Sequence, residues 1–132
     1  MGAWGAGVFD DDMALDFLAD LEEDPELLRR YLVDSATTSG YLDAGDGPAY
    51  LAAAAVVAQR FDHSIEIPYP HAEVTRSVSV SPDLIPLALK AIERVTGDQS
   101  ELAELWAENP EYDNEWKNIC KRLSDILMKA MV

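Results

Sequence analysis

Cysteine is almost absent from this sequence: Cys120 stands alone, so no disulfide can close within the chain. That composition fits a reducing compartment. Long apolar runs are missing too, and no stretch approaches the roughly 18 residues of a membrane span. Residues Met1 to Val8 carry no Lys or Arg and are followed by no secretory hydrophobic region. Ala6 stands where a myristoylation signal beginning at Gly2 wants Ser or Thr. The expectation is a cytoplasmic protein that does not enter a membrane. Positive charge is scarce, with 10 Lys and Arg against 25 Asp and Glu, a formal net charge of −15. Such a field repels phosphate backbones and anionic lipid, which argues against nucleic-acid and membrane-surface binding. It attracts basic protein patches or cations, although acidic surfaces also serve solubility alone.

What is present suits one helical domain spanning 1–132. A chain of this length buries about two-thirds of its unfolded surface and needs no metal or disulfide to hold it. After a glycine-rich opening, Asp10, Asp11 or Asp12 can cap a first helix. Ala14, Phe17, Leu18 and Leu21 then recur at i, i+3, i+4 and i+7, the stripe of a core-facing helix ending near Glu23. Asp24–Pro25 restarts the chain, and Leu28, Tyr31, Leu32 and Ser35 form the next inner face, with Gly40 as a left-handed stop. Residues Ala49 to Ala58 carry no charge and are rich in alanine, which predicts a helix surrounded by others.

From Phe61 to Val80 the helical period disappears. Ile65 and Ile67, then Val74, Val78 and Val80, alternate with polar neighbours around Pro68 and Pro70. Either a short β-hairpin or a long loop satisfies that pattern. Asp83 is placed to cap a fourth helix with Pro86 in its first turn and Leu84, Ala88, Ala91, Ile92 and Val95 inward, ending at Gly97. A short helix from Ser100 to Glu108 points Leu102, Leu105 and Trp106 inward and is stopped by Asn109–Pro110. The last helix, from about Asp113 to Met128, carries the clearest stripe: Trp116, Ile119, Cys120, Leu123, Ile126, Leu127 and Ala130. Lys117, Lys121, Arg122 and Lys129 lie off it. The fold expected is mainly α, a compact bundle of five or six helices.

The opening fixes several uncommon residues at set spacing: Gly2, Trp4, Gly5 and Gly7, then Phe9, Asp10 and Asp12, then Ala14 and Asp16. It resembles the start of a bacterial family of domains of unknown function, the one numbered 4259. Members of that family begin Gly-x-Trp-Gly-x-Gly, continue Phe-Asp-Asn-Asp, and place Ala and Asp on the first helix. Here Asp11 stands where Asn is usual and Phe17 where Trp is common. A second patch is similar as well: Ala88, Ala91, Arg94 and Val95, then Ser100, Glu101, Leu102, Leu105 and Trp106. The resemblance implies a shared helical fold and brings no established activity.

Five features invite a chemical reading. The glycines of the opening suggest a phosphate loop, but no Lys-Ser/Thr follows and three aspartates do, which sets like charge beside phosphate. Asp12, Asp16 and Asp20 stack four apart on one helix face, as oxygen ligands for Mg²⁺ or Mn²⁺ do, and equally as the solvated face of an amphipathic helix does. His63 and His71 lie in the irregular connector near Asp62, Glu66 and Glu73, without zinc-ligand spacing or a paired nucleophile. Cys120 lies on an apolar stripe, where a thiol packs as a small hydrophobe. Trp4, Trp106 and Trp116 read as core plugs rather than pocket walls.

No complete catalytic set emerges, and no cofactor is implied. The reading that follows is a non-enzymatic acidic module docking on a basic protein through Asp10, Asp11, Asp12, Asp16, Asp20, Glu22 and Glu23. The alternative is a metal-assisted hydrolase or small-ligand binder using the carboxylate stripe with His63 and His71.

Overall fold

The computed structural model describes residues 7–38, 40–43, 46–65, 67 and 78–131. Among these, six helices make up the fold and no strand occurs: α1 (Asp12–Glu23), α2 (Leu27–Thr37), α3 (Gly47–Gln59), α4 (Leu84–Thr96), α5 (Glu101–Ala107) and α6 (Pro110–Ala130). No helix among the described residues is long and apolar enough to cross a membrane.

The centre of the bundle is α3, where every residue from Gly47 to Gln59 is buried. It contacts each of the other five helices, as its uncharged sequence requires, because a helix without a polar face has no side to offer water. Its N-terminus presses on α5. A Cβ on Gly47 would lie 3.3 Å from both Cβ and Cδ2 of Leu102, so glycine permits that approach. The flanking helices close around it with the expected faces: Ala14, Phe17, Leu18 and Leu21 from α1, Leu28 and Leu32 from α2, and Trp116, Cys120, Leu123 and Leu127 from α6. Tyr31 is half-buried and joins Phe17 to Tyr50, with ring centroids 4.9 Å and 6.2 Å away.

Several boundaries differ from expectation for identifiable reasons. Helix α6 begins at Pro110 rather than near Asp113. Proline at the first helical position loses no hydrogen bond, so Asn109–Pro110 both ends α5 and opens α6. Gly40 does adopt φ +87°, but three residues beyond the end of α2, where it turns the connector rather than the helix terminus. Asp83 occupies the position before α4 without capping it. Its carboxylate instead accepts from Arg29 Nη1 at 2.6 Å and from the Ser81 hydroxyl, tying α2 to the start of α4.

Leu42 and Ser100 form an isolated parallel β-bridge. Leu42 N–H donates to the Gln99 carbonyl at 2.7 Å and Glu101 N–H donates to the Leu42 carbonyl at 2.9 Å. No hairpin is seen in the described part of the 61–80 connector. Positions 66 and 68–77, with Pro68, Pro70, His71 and Val74, lie outside the described residues. Ile65, Ile67 and Val78 are buried, so both ends of this segment are anchored in the core.

Candidate functional site: the acidic face of α1 and the cleft beside α6

The entry to α1 is a tight turn made of acidic side chains. Asp10 N–H donates to the Gly7 carbonyl at 3.0 Å, and the Asp10 carboxylate accepts from Gly7 N–H at 3.2 Å. A Cβ on Gly7 would fall 2.7 Å from Asp10 Oδ2, so a side chain here would displace the Asp10 carboxylate from this turn. Asp11 is the cap: its Oδ1 accepts from Met13 N–H at 2.8 Å and Ala14 N–H at 3.3 Å, and the residue is only 7% exposed. Carboxylate is the right group there, because it satisfies orphan N–H donors and meets the positive end of the helix.

Two of the seven proposed contact residues are therefore engaged in local structure, and Asp11 is buried rather than presented to solvent. Asp12, Asp16, Asp20, Glu22 and Glu23 are exposed. The helix carries no base, and its last turn holds none to oppose the negative C-terminal end. Arg29, Arg30, Lys90 and Lys117 pair with Asp83, Asp24, Glu93 and Asp113 respectively. Asp12, Asp16, Asp20 and Glu23 have no basic partner among the described residues. The Arg29 guanidinium and the Ser81 hydroxyl hold the Asp83 carboxyl down at about 2.

The alternative chemistry finds little support in this geometry. No group of three or more His, Cys, Asp or Glu among the described residues is arranged to hold a metal ion. His63 is exposed in the turn after α3, and His71 lies outside the described residues. Cys120 is 2% exposed and its thiol is pushed up to about 12 by burial, so it is not a nucleophile at neutral pH. Trp106 and Trp116 are buried, with centroids 6.3 Å apart, as core plugs are. Trp4 and the glycines at 2 and 5 lie outside the described residues.

A second feature has no counterpart in the sequence reading. Arg122 Nη2 donates to the Ser64 hydroxyl. Ser64 in turn donates its N–H and O–H to Asp62 Oδ1 at 2.9 Å and 2.6 Å. These bonds hold the Asp62 carboxyl below its ordinary range. Arg122 stands at the edge of a cleft of about 320 Å³ between α3, α6 and the loop before α1. Ser64 and Arg122 are 58 residues apart, so only the packing of the turn after α3 against α6 brings them together.

Comparison with known families matches residues 2–118 to one described as a domain of unknown function (DUF4259). No curated protein and no solved structure matches the chain.

Proposed function

The chain belongs to the DUF4259 family of domains of unknown function, and on that footing we propose that it is a non-enzymatic acidic module that docks on a basic protein, as an inhibitor or regulatory subunit does. The observation that carries this reading is the outer face of α1. Asp12, Asp16 and Asp20 are exposed, four apart, and lack a basic partner among the described residues, while Glu22 and Glu23 extend the charge to the helix end.

That arrangement works against the stability of the free helix. Like charges at i, i+4 oppose helix formation by roughly 0.2–0.5 kcal/mol per pair. Carboxylates in the last turn face the negative end of the helix dipole, where a base would contribute about 0.3–1 kcal/mol. A basic surface laid along α1 relieves both penalties at once. The face thus has more to gain from a cationic partner than a neutralised helix would. Its charge also steers encounter, so the signature is kinetic.

The test begins with affinity capture of a partner under native conditions, identified by mass spectrometry, and proceeds to association kinetics on the purified pair. The association rate is expected to fall about tenfold or more between low and high salt. Asp16→Lys and Asp20→Lys should each slow association further while leaving the fold intact. A partner whose binding ignores both salt and these reversals removes the proposal.

A further inference from the structure

Two depressions flank Arg122. The larger, about 510 Å³, is bordered by Asp62 and Asp125 as well as Arg122 and Lys129, so acids and bases offset one another around it. The smaller, about 320 Å³, has a different character. Phe9, Ala55, Ile65, Ile119 and Leu123 give it apolar walls drawn from four separate segments, and Ser64 and Arg122 are its polar lining. No carboxylate is among its described lining residues. Its size lies at the lower end of the roughly 300–1,000 Å³ typical of ligand pockets, and an apolar body with a few convergent polar groups is their usual composition.

We propose that this smaller cleft binds a small amphipathic carboxylate, with its apolar body against Phe9 and Ile119 and its head group on Arg122. No carboxylate of the described residues pairs directly with the guanidinium; Asp62 acts on it through Ser64 and through its charge, from the side of the larger depression. Among the described residues the guanidinium's one hydrogen bond goes to Ser64, which uses one of its five N–H donors. Ser64 is itself fixed by two bonds to Asp62, so the guanidinium is positioned at the cleft edge before anything binds. Arginine meets a carboxylate through paired N–H donors, a planar match that a neutral or cationic head cannot make. The net charge of −15 disfavours polyanions throughout the surroundings, so a single negative charge on an apolar body fits better than a polyphosphate.

Octanoate, octan-1-ol and octylamine share one tail and differ in head-group charge. Each is titrated into the full chain and followed by calorimetry and by methyl NMR. Octanoate is expected to saturate the site about tenfold more tightly than octanol, with octylamine weaker still and shifts centred on Ala55, Ile119 and Leu123. Arg122→Gln should bring octanoate to the level of octanol or below, while octanol is unchanged. Ile119→Trp should fill the cleft and abolish binding of both, with a thermal melt checking that the variant folds. If it does not fold, Arg122→Gln decides alone. Failure of octanoate to saturate, methyl shifts centred elsewhere, or indifference of octanoate to Arg122→Gln overturns the proposal. These residues lie outside the acidic stripe of α1, so either outcome leaves the protein-docking reading to its own test.

Discussion

Helices α1 and α6 both lie against α3 and offer it the same kind of inner face, yet their outer faces obey opposite electrostatic rules. Helix α6 places Glu111 and Asp113 in its first turn and Lys129 in its last, each on the side the helix dipole favours. Within it Lys117 pairs with Asp113 at 3.0 Å. Helix α1 has an acid in its first turn, as it should, but continues with acids to its end and holds no base. Where one sequence arranges its charges for the stability of the free fold and another, in the same bundle, does not, the second arrangement calls for a cause outside the free fold. That contrast is the physical basis for proposing a partner surface on α1 rather than on α6.

The largest expected effect tests whether the inner faces are equivalent. Phe17 on α1 is 1% exposed and Leu127 on α6 is 0% exposed. Phe17→Ala should destabilise the protein by about 3–5 kcal/mol and Leu127→Ala by about 2–5 kcal/mol, read from urea denaturation. Losses of this size are a large share of the stability of a small domain. A Phe17 variant with near-normal stability would mean that α1 is only loosely docked, and the comparison between the two helices would lose its premise.

The inner faces were readable from the sequence because burial enforces a period. Phe17, Leu18 and Leu21 in α1, like Trp116, Cys120, Leu123 and Leu127 in α6, can reach one neighbour only at 3.6-residue spacing. The central place of α3 was equally legible, since an uncharged alanine-rich helix has no stable position at a surface. The partners of individual polar groups were not. Asp83 resembles a cap in sequence, yet Arg29, 54 residues earlier, takes its carboxylate. Asp11 resembles any other member of the acidic run, yet it alone turns inward to close the first turn of α1. Arg122 and Ser64 meet through tertiary packing, for which no local spacing rule exists. Apolar periodicity is a property of one element, whereas polar pairing belongs to two, and only the first is written locally.

A smaller effect separates the structural acid of α1 from the exposed ones. Asp11→Ala removes the acceptor for Met13 and Ala14 N–H and should cost about 1 kcal/mol, within the 0.5–2 kcal/mol usual for a lost cap. Asp11→Asn, which keeps an acceptor oxygen, should recover most of it. Asp12→Ala, at an exposed neighbour, should change stability by less than about 0.5 kcal/mol. Equal losses at Asp11 and Asp12, measured in the same denaturation series, would erase the distinction between the buried cap and the outer face.

The smallest effect bears most directly on function, because its sign matters more than its size. Asp20→Lys puts a base near the negative end of α1 and sets it four residues after Asp16, the favourable order for a helical ion pair. It should stabilise the free protein by a few tenths of a kcal/mol at low salt. Lys129→Glu, the matching reversal in the last turn of α6, should destabilise by a similar amount, since it removes a charge already well placed. Both shifts should shrink toward zero in about 1 M salt, where the screening length falls to roughly 3 Å. The decisive comparison is then with partner association. If the acids of α1 are retained for docking, Asp20→Lys gains stability and loses association rate in the same molecule, while Lys129→Glu loses stability without slowing the partner. An Asp20→Lys variant that gains no stability at low salt would show that α1 carries no electrostatic penalty, and the argument that assigns its outer face to a basic partner would have nothing left to explain.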